Sequence, residues 1–193
     1  MTLSTLPLLV AVAVAFLAMA AIRRPTTGHR LASAIFAVYL VGVAHFVILP
    51  LTFDPRAAEA AGPIDLLRLI ELRPFFLSGG DVMPLGQALL NILVTVPFGF
   101  GLPFVLRVRP VVVIRAGVLL SVGIEMTQLV ADALYLALPT WSVDINDVLL
   151  NSTGVVVGYG AFLACSVIYT DTVGRLPIRR GLWVHFHDVF SRT

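Results

Sequence analysis

Long runs of apolar residues alternate along this chain with short stretches that contain arginine, aspartate or proline. A helix needs about 20 predominantly apolar residues to cross the hydrocarbon core of a bilayer. Five segments meet that requirement, over residues 3–22, 31–52, 86–106, 110–133 and 148–170. The pattern therefore predicts an all-α protein, a polytopic membrane helix bundle with about five transmembrane helices in a domain over 1–170, followed by a tail over 171–193.

The first apolar segment has a second interpretation, because LAMAAI offers the small-residue cleavage site of a secretory signal peptide. Signal peptides carry their positive charges ahead of the apolar run. Here Arg23 and Arg24 follow the run instead. This order favours a membrane anchor of reverse orientation.

The segment 53–85 contains one organised piece, GPIDLLRLIELRPFF. Asp65, Arg68 and Glu71 recur every three residues among leucines and isoleucines, and Pro63 suits a first helical turn. The pattern predicts a short amphipathic helix. It would either lie at the outer membrane interface or cap the bundle by packing on neighbouring helices.

Composition agrees with the membrane class: 59% of the residues are hydrophobic, 12% are charged and the mean hydropathy is +0.97. The single cysteine, Cys165, lies in an apolar stretch, which excludes an intramolecular disulfide and a cysteine metal site. All 13 basic residues are arginines. In a soluble protein this balance would suggest nucleic acid as a partner, but here membrane orientation explains the arginines better.

Positively charged short loops stay in the cytoplasm, and most arginines fall on one side of a five-span topology. That side holds Arg23, Arg24, Arg30, Arg107, Arg109, Arg115, Arg175, Arg179, Arg180 and Arg192. The other side holds Arg56, Arg68 and Arg73 with Asp54, Glu59, Asp65, Glu71, Asp81, Asp132, Asp144 and Asp147. We therefore predict that the N-terminus is outside and that the tail is cytoplasmic.

Three spans carry polar residues near their predicted outer ends, each set on one helical face. The sets are Asn91 with Thr95, Glu125 with Gln128, and Asp144 with Asp147 and Asn151. An acid at the bilayer centre costs about 2.5–3.5 kcal/mol on insertion scales, so acids in spans usually face a bundle interior or a wet cavity. The sets predict a polar pocket open to the outside, with Glu125, Asp144 and Asp147 as its charges.

Structural interpretations of the same residues stay open. Asn91, Gln128 and Asn151 are also typical of hydrogen bonds that hold membrane helices together. Asp144 is also typical of a helix N-cap. Glu125 lies inside a span, which favours a functional or ion-pairing role.

Small residues and a proline predict close helix packing in the third and fifth spans. Pro97 must free a backbone carbonyl and bend its helix unless a neighbour restores the bond. Close approach of another helix is expected at Gly99, Gly101, Gly154, Gly158 and Gly160.

The histidines give little support for catalysis. Only His45, near the outer end of the second span, could reach the acids, and a lone histidine in an apolar helix is more often packed and hydrogen-bonded. His29, His185 and His187 are predicted on the cytoplasmic side, where the last two form a weak candidate metal pair.

The runs NILVTVPFGF, GIEMTQL and DINDVLLNSTGVVVGY together resemble the VanZ-like family of small bacterial membrane proteins, over residues from about 35 to 165. RPFF at 73–76 is similar to the family's outer-loop element. The characteristic positions carried over are Asn91, Pro97, Gly99, Glu125, Gln128, Asp144, Asp147, Asn151 and Gly154. The family usually has an arginine shortly before the first of these aspartates, where this chain has Trp141. Arg68 or Arg73 is the candidate substitute as partner of the acids.

The resemblance implies a protein of the bacterial cytoplasmic membrane with a link to low-level resistance to teicoplanin, a lipoglycopeptide. We expect a non-enzymatic protein that binds a lipid-linked cell-wall precursor or another amphiphilic ligand of the outer leaflet. The alternative is a hydrolase or transferase that uses the clustered carboxylates, with or without a divalent cation. No cofactor is clearly implied. Polar residues confined to one leaflet, with no inverted repeat, argue against a transporter.

Overall fold

A computed structural model of the chain describes residues 26–48, 70–74, 82–106, 108–133, 143–173 and 182–191. These residues form five helices and one two-residue pairing of parallel strands. The helices are α1 (Thr27–Ile48), α2 (Leu85–Val105), α3 (Pro110–Ala133), α4 (Ile145–Thr172) and α5 (Trp183–Phe190). The strands are β1 (Ile70–Glu71) and β2 (Val143–Asp144).

Four helices are long and apolar enough to cross a membrane, at Thr27–His45, Leu85–Val105, Pro110–Val130 and Ile145–Thr172. They confirm the spans that the sequence predicts at 31–52, 86–106, 110–133 and 148–170. The predicted span at 3–22 lies outside the described residues. The architecture is an all-α, multi-pass membrane bundle.

The predicted outer amphipathic helix is described only in its last part. Residues 62–69, including Arg68, lie outside the described residues. Ile70 and Glu71 are not helical, because they pair as β1 with Val143 and Asp144 of β2. The prediction of helix over residues 70–71 is therefore wrong, and the cause is a backbone pairing with a segment more than 70 residues later in the chain.

Helices α2 and α4 lie parallel and form the closest pair of the bundle. Asn91 contacts Asp147, and one helical turn later Thr95 contacts Asn151. Both pairs are 56 residues apart in the sequence, so the two helices run in the same direction. Three glycines allow the backbones to approach. A methyl group on Gly99, Gly154 or Gly158 would lie within 3.0 Å of a carbonyl oxygen of the facing helix.

The other two predicted packing glycines behave differently. Gly101 faces the ring of Phe36 on α1, so it also serves helix contact. Gly160 has no described atom within 4 Å of the position that a methyl group would take. The prediction that Gly160 supplies close packing is not confirmed by the described residues, because Gly160 lies on a different face of α4 from Gly158.

Helix α2 continues through Pro97 as one element. The proline has no N–H to donate to the carbonyl of Leu93. The Tyr39 hydroxyl of α1 donates a hydrogen bond of 2.8 Å to the carbonyl of the following residue, Val94. A neighbouring helix thus adds a polar partner where the helix is weakened, as membrane helices require.

The predicted tail contains a helix that packs onto the bundle. Rings of α5 contact rings of α2 and α4, and the members of this aromatic cluster are Phe104, Phe162, Tyr169, Phe186 and Phe190. A ring nitrogen of His185, Nε2, lies 2.8 Å from the Phe104 carbonyl oxygen. Helix α5 therefore packs at the end of the bundle where α1 and α3 begin. This end also carries Arg30, Arg109 and Arg115, and we call it the arginine end.

Candidate functional site

Three carboxylic acids meet at the end of the bundle opposite the arginine end, where α2 and α4 begin and α3 ends. Glu125 comes from α3, Asp144 from β2 and Asp147 from the first turn of α4. The Asp144 backbone contacts the Glu125 side chain, and Asp147 follows Asp144 by three residues. We call Glu125, Asp144 and Asp147 the acid cluster. The sequence prediction that these residues come together is consistent with this geometry.

Glu125 links α3 to the start of α4. The backbone N–H of Asp144 donates a hydrogen bond of 3.1 Å to Glu125 Oε2. The Glu125 side chain is only 1% exposed. Asp144 also pairs with Glu71 in the parallel ladder, so strand β1 lies beside the residue that makes this contact.

Asp144 is the N-cap of α4, with extended backbone angles φ −113° and ψ 123°. Its Oδ1 accepts a hydrogen bond of 2.8 Å from the backbone N–H of Asn146. The Asn146 side-chain amide donates to the same oxygen at 2.6 Å. The capping interpretation is confirmed, and it does not exclude a role in the cluster because Asp144 is 3% exposed and adjoins Glu125.

Asn146 is a member of the site that the sequence reasoning missed. It is 2% exposed and both of its described amide donors serve Asp144. The available signal was its place two residues after a capping aspartate, which is where an Asx turn brings an N–H back to the cap.

Asp147 and Asn151 connect α4 to α2. The Asn91 side-chain amide donates to Asp147 Oδ1. One turn deeper, the Thr95 hydroxyl donates to the backbone carbonyl of Asn151 at 2.7 Å. For Asn91 the helix-joining interpretation is therefore confirmed.

The acid cluster is more closed than the outward-facing pocket that the sequence predicts. Glu125 and Asp144 are buried, and Asn151 is 4% exposed. Asp147, Asn91 and Gln128 are partly exposed. Asp147 is therefore more accessible than Glu125 or Asp144.

These contacts join the three motifs of the sequence into one site, and a family model that spans all three also matches the chain. The model is described as VanZ/LLP1 and matches residues 36–168, more than half of the 193 residues. The chain belongs to the VanZ/LLP1 family. Comparison with curated proteins and with solved structures found no match. The match includes every residue of the acid cluster and leaves α5 outside.

The candidate arginines of this VanZ/LLP1 protein are placed unequally. Arg73 is exposed and follows Glu71, the pairing partner of Asp144, by two residues. Arg68 and Trp141 lie outside the described residues. That Arg73 takes the place of the family's arginine as partner of the acids therefore stays a prediction. The pairing of Glu71 with Asp144, two residues before Arg73, is compatible with it.

Three of the four histidines lie at the arginine end, away from the acid cluster. His29 and His185 are buried against each other at the arginine end, with ring centroids 5.3 Å apart, and His187 Nδ1 lies 3.1 Å from the Tyr169 hydroxyl. His45 is exposed on α1. Within the part of the chain that the structure describes, no group of three or more His, Cys, Asp or Glu is arranged to hold a metal ion.

The cap gives a prediction about stability. Replacing Asp144 with alanine should lower the free energy of unfolding by about 1–2 kcal/mol, because the first amides of α4 lose their acceptor. Asp144→Asn should cost clearly less, since asparagine is also a good cap. Unfolding in a detergent titration measures both. The control is Asp171→Ala, at an exposed position near the other end of α4. Equal losses of unfolding free energy in Asp144→Ala and Asp144→Asn would contradict the capping role.

Proposed function

We propose that this VanZ/LLP1 protein lies in the bacterial cytoplasmic membrane and binds an amphiphilic or lipid-linked ligand of the outer leaflet at the acid cluster. Through that binding it would modulate susceptibility to glycopeptides such as teicoplanin. The observation that carries the proposal is the burial of Glu125 and Asp144, 1% and 3% exposed, at one end of a membrane bundle. Ionisable side chains at such positions are costly and are typical of functional sites.

The proposed orientation follows from the distribution of arginines. Arg30, Arg109 and Arg115 lie at the arginine end, whereas Arg73 follows strand β1, which pairs with Asp144 of the acid cluster. Positively charged short loops stay in the cytoplasm. The acid cluster would therefore face the outside, where glycopeptides meet their lipid-linked targets, with the N-terminus outside and the C-terminal tail inside.

Binding is favoured over catalysis by the partners of the carboxyl groups. Asp144 is engaged as a cap and Glu125 accepts from a backbone N–H, so both help to hold the fold. A hydrolase would need a nucleophile or an activated water with a base that is free to move a proton. Buried histidines that could serve as such a base, His29 and His185, are at the arginine end.

The proposal predicts that Asp147→Asn lowers glycopeptide tolerance in cells that depend on this protein. The change keeps the shape and removes the charge of the partly exposed acid. A hydrogen bond to a charged group contributes about 1.5–3 kcal/mol, so the affinity for the ligand should fall about tenfold or more. Tolerance and the amount of folded protein in the membrane are measured in the same cells.

Asp171→Asn is the matched control, because it removes an exposed carboxylate from the arginine end of the same helix. It should leave tolerance unchanged. If Asp147→Asn lowers the amount of protein and the tolerance together, the residue holds helices and the proposal loses its support. Unchanged tolerance, in a strain where deletion of the protein matters, would reject the proposal. Turnover of a lipid-linked substrate that requires a divalent cation would favour the enzymatic alternative instead.

A further inference from the structure

We propose that an apolar groove between α1, α2 and α5 holds one acyl chain of an anionic phospholipid in the leaflet at the arginine end, with the lipid phosphate beside Arg30. The groove lies in the arginine half of the bundle, whereas the acid cluster lies at the other end. The inference therefore goes beyond the proposed function and does not depend on it.

The groove follows the seam between α1 and α2, and a ring of α5 forms part of its wall. Its volume is about 250 Å³. The lining positions on α1 run from Ala32 to Tyr39, which is about 10 Å along a helix, or a third of a hydrocarbon core of about 30 Å. The groove therefore fits within one leaflet. Residues from all three helices line it, among them Ile35, Phe36, Tyr39, Pro97, Gly101 and Phe186.

The lining is suited to hydrocarbon. Among the lining residues only Tyr39 has a polar side-chain atom, and its hydroxyl already donates to the Val94 carbonyl at 2.8 Å. Ile35 is 60% exposed, Pro97 is also exposed, and both belong to membrane-spanning helices. The groove therefore opens sideways to the bilayer, where lipid acyl chains surround the helices.

The walls of the groove are held apart by contacts that already exist. A methyl group on Gly101 would lie 2.8 Å from Cδ2 of Phe36, so α1 and α2 cannot move closer at this point. Phe186 packs on Phe104, with ring centroids 5.6 Å apart. An empty groove between such walls loses van der Waals contacts, and an acyl chain restores them.

Trp183 continues the aromatic wall towards the membrane surface. Its ring centroid lies 6.0 Å from that of Phe186, and its side chain is 68% exposed. Tryptophan is enriched at the level of the lipid headgroups. A lipid whose chain lies against Phe186 would therefore have its headgroup near Trp183.

The charge at this level favours an anionic headgroup. A methyl group on Gly28 would lie 2.6 Å from the Leu182 carbonyl oxygen, so the start of α5 adjoins the first turn of α1. Arg30 belongs to that turn and is exposed. In the sequence, the same side of the predicted topology has ten arginines and only two acids, Asp171 and Asp188. Arginines next to the hydrocarbon region attract anionic lipids.

The experiment uses the full-length protein in nanodiscs of phosphatidylcholine that contain a small fraction of a photoreactive lipid. Two probes carry the same diazirine-bearing acyl chain, one on phosphatidylglycerol, which is anionic, and one on phosphatidylcholine, which has no net charge. After irradiation, mass spectrometry locates the labelled residues. In the wild type, the phosphatidylglycerol probe should label residues 32–39 about fivefold more than the phosphatidylcholine probe, the effect expected of one arginine near a headgroup.

Two pairs of variants separate the headgroup contact from the chain contact. Arg30→Gln should bring the labelling ratio close to one, whereas Arg115→Gln, which removes an exposed arginine from the same end of α3, should keep it. Ile35→Trp should fill the mouth of the groove and lower the labelling of residues 97–104 by both probes. Leu119→Trp should not, since Leu119 is 72% exposed at a similar depth on α3. All four positions are exposed, so the variants should fold.

Three results would overturn the inference. Equal labelling of residues 32–39 by the two probes in the wild type would show that lipid contacts the groove without selection of a headgroup. Equal losses in Arg30→Gln and Arg115→Gln would assign the selection to the general positive charge of the arginine end. Absence of label from residues 32–39 and 97–104 with both probes would show that protein fills the groove, from residues 3–22 or from a second copy of the chain.

Discussion

Replacing Gly158 with alanine should destabilise the protein, whereas the same replacement at Gly160, two residues later on the same helix, should stabilise it. Alanine is favoured over glycine by about 1 kcal/mol in a helix interior, and this gain applies at both positions. At Gly158 the added methyl group would lie within 3.0 Å of the Val96 carbonyl and of the Phe100 nitrogen, both backbone atoms of α2. Backbone cannot move aside as a flexible side chain can, so α2 and α4 must separate.

Overpacking of this kind costs about 1–3 kcal/mol, which exceeds the propensity gain or at least cancels it. Gly160 has no described atom within 4 Å of the added methyl group, so only the gain remains. Because the propensity gain is common to both variants, they should differ in free energy of unfolding by the overpacking cost, about 1–3 kcal/mol, measured by detergent titration in the same lipid mixture. Gly158→Leu should prevent folding where Gly160→Leu does not. Equal effects of the two alanine variants would show that α2 and α4 do not pack as described.

Replacing Phe162 with alanine should be the most damaging change in the aromatic cluster. The Phe162 ring is 1% exposed and contacts the rings of Phe104 and Phe190, with centroids 5.5 and 5.7 Å away. Lipid is as apolar as this core, so the loss comes mainly from missing van der Waals contacts and the cavity left behind. We expect a loss of about 3 kcal/mol in the free energy of unfolding.

The same variant should release α5 before the rest of the bundle unfolds, because Phe190 loses its stacking partner on α4. Hydrogen exchange over residues 182–191 measures this release, with the wild type as reference. Ile168→Ala is the control, since Ile168 is 64% exposed on the same helix and its truncation should change stability by less than about 0.5 kcal/mol. Retained protection of residues 182–191 in Phe162→Ala would mean that α5 is held by contacts other than this cluster.

The membrane spans were predictable because hydrophobic length is a local property. A run of about 20 apolar residues has one stable solution in a bilayer, and four such runs are helices in the structure. The cap at Asp144 was predictable for the same reason, since a carboxylate before a helix satisfies amides two and three residues away. The family was predictable from three short motifs whose residues the match includes.

The helical faces of the candidate site could be predicted from the sequence, but Asn146 and the degree of closure could not. Helical spacing places Asn91 with Thr95, and Asp147 with Asn151, on single faces. Helical spacing does not indicate that Glu125 accepts a hydrogen bond from the Asp144 backbone, or that Glu71 pairs with Asp144 in parallel strands. The first contact depends on the distance between α3 and α4 in space, and the second depends on two strands more than 70 residues apart in the sequence. Neither produces a local sequence pattern.

What the sequence by itself determined is the membrane class, four described spans, the faces that carry polar groups, and the family. Each depends on residues within a few helical turns of one another. Only the tertiary structure decided that Gly158 contacts a helix whereas Gly160 contacts no described atom. It also decided that α5 packs on α2 and α4 through the aromatic cluster, and that Asn151 Oδ1 is buried without a hydrogen-bond partner. These outcomes follow from the parallel register of α2 on α4, in which residues 56 positions apart become neighbours.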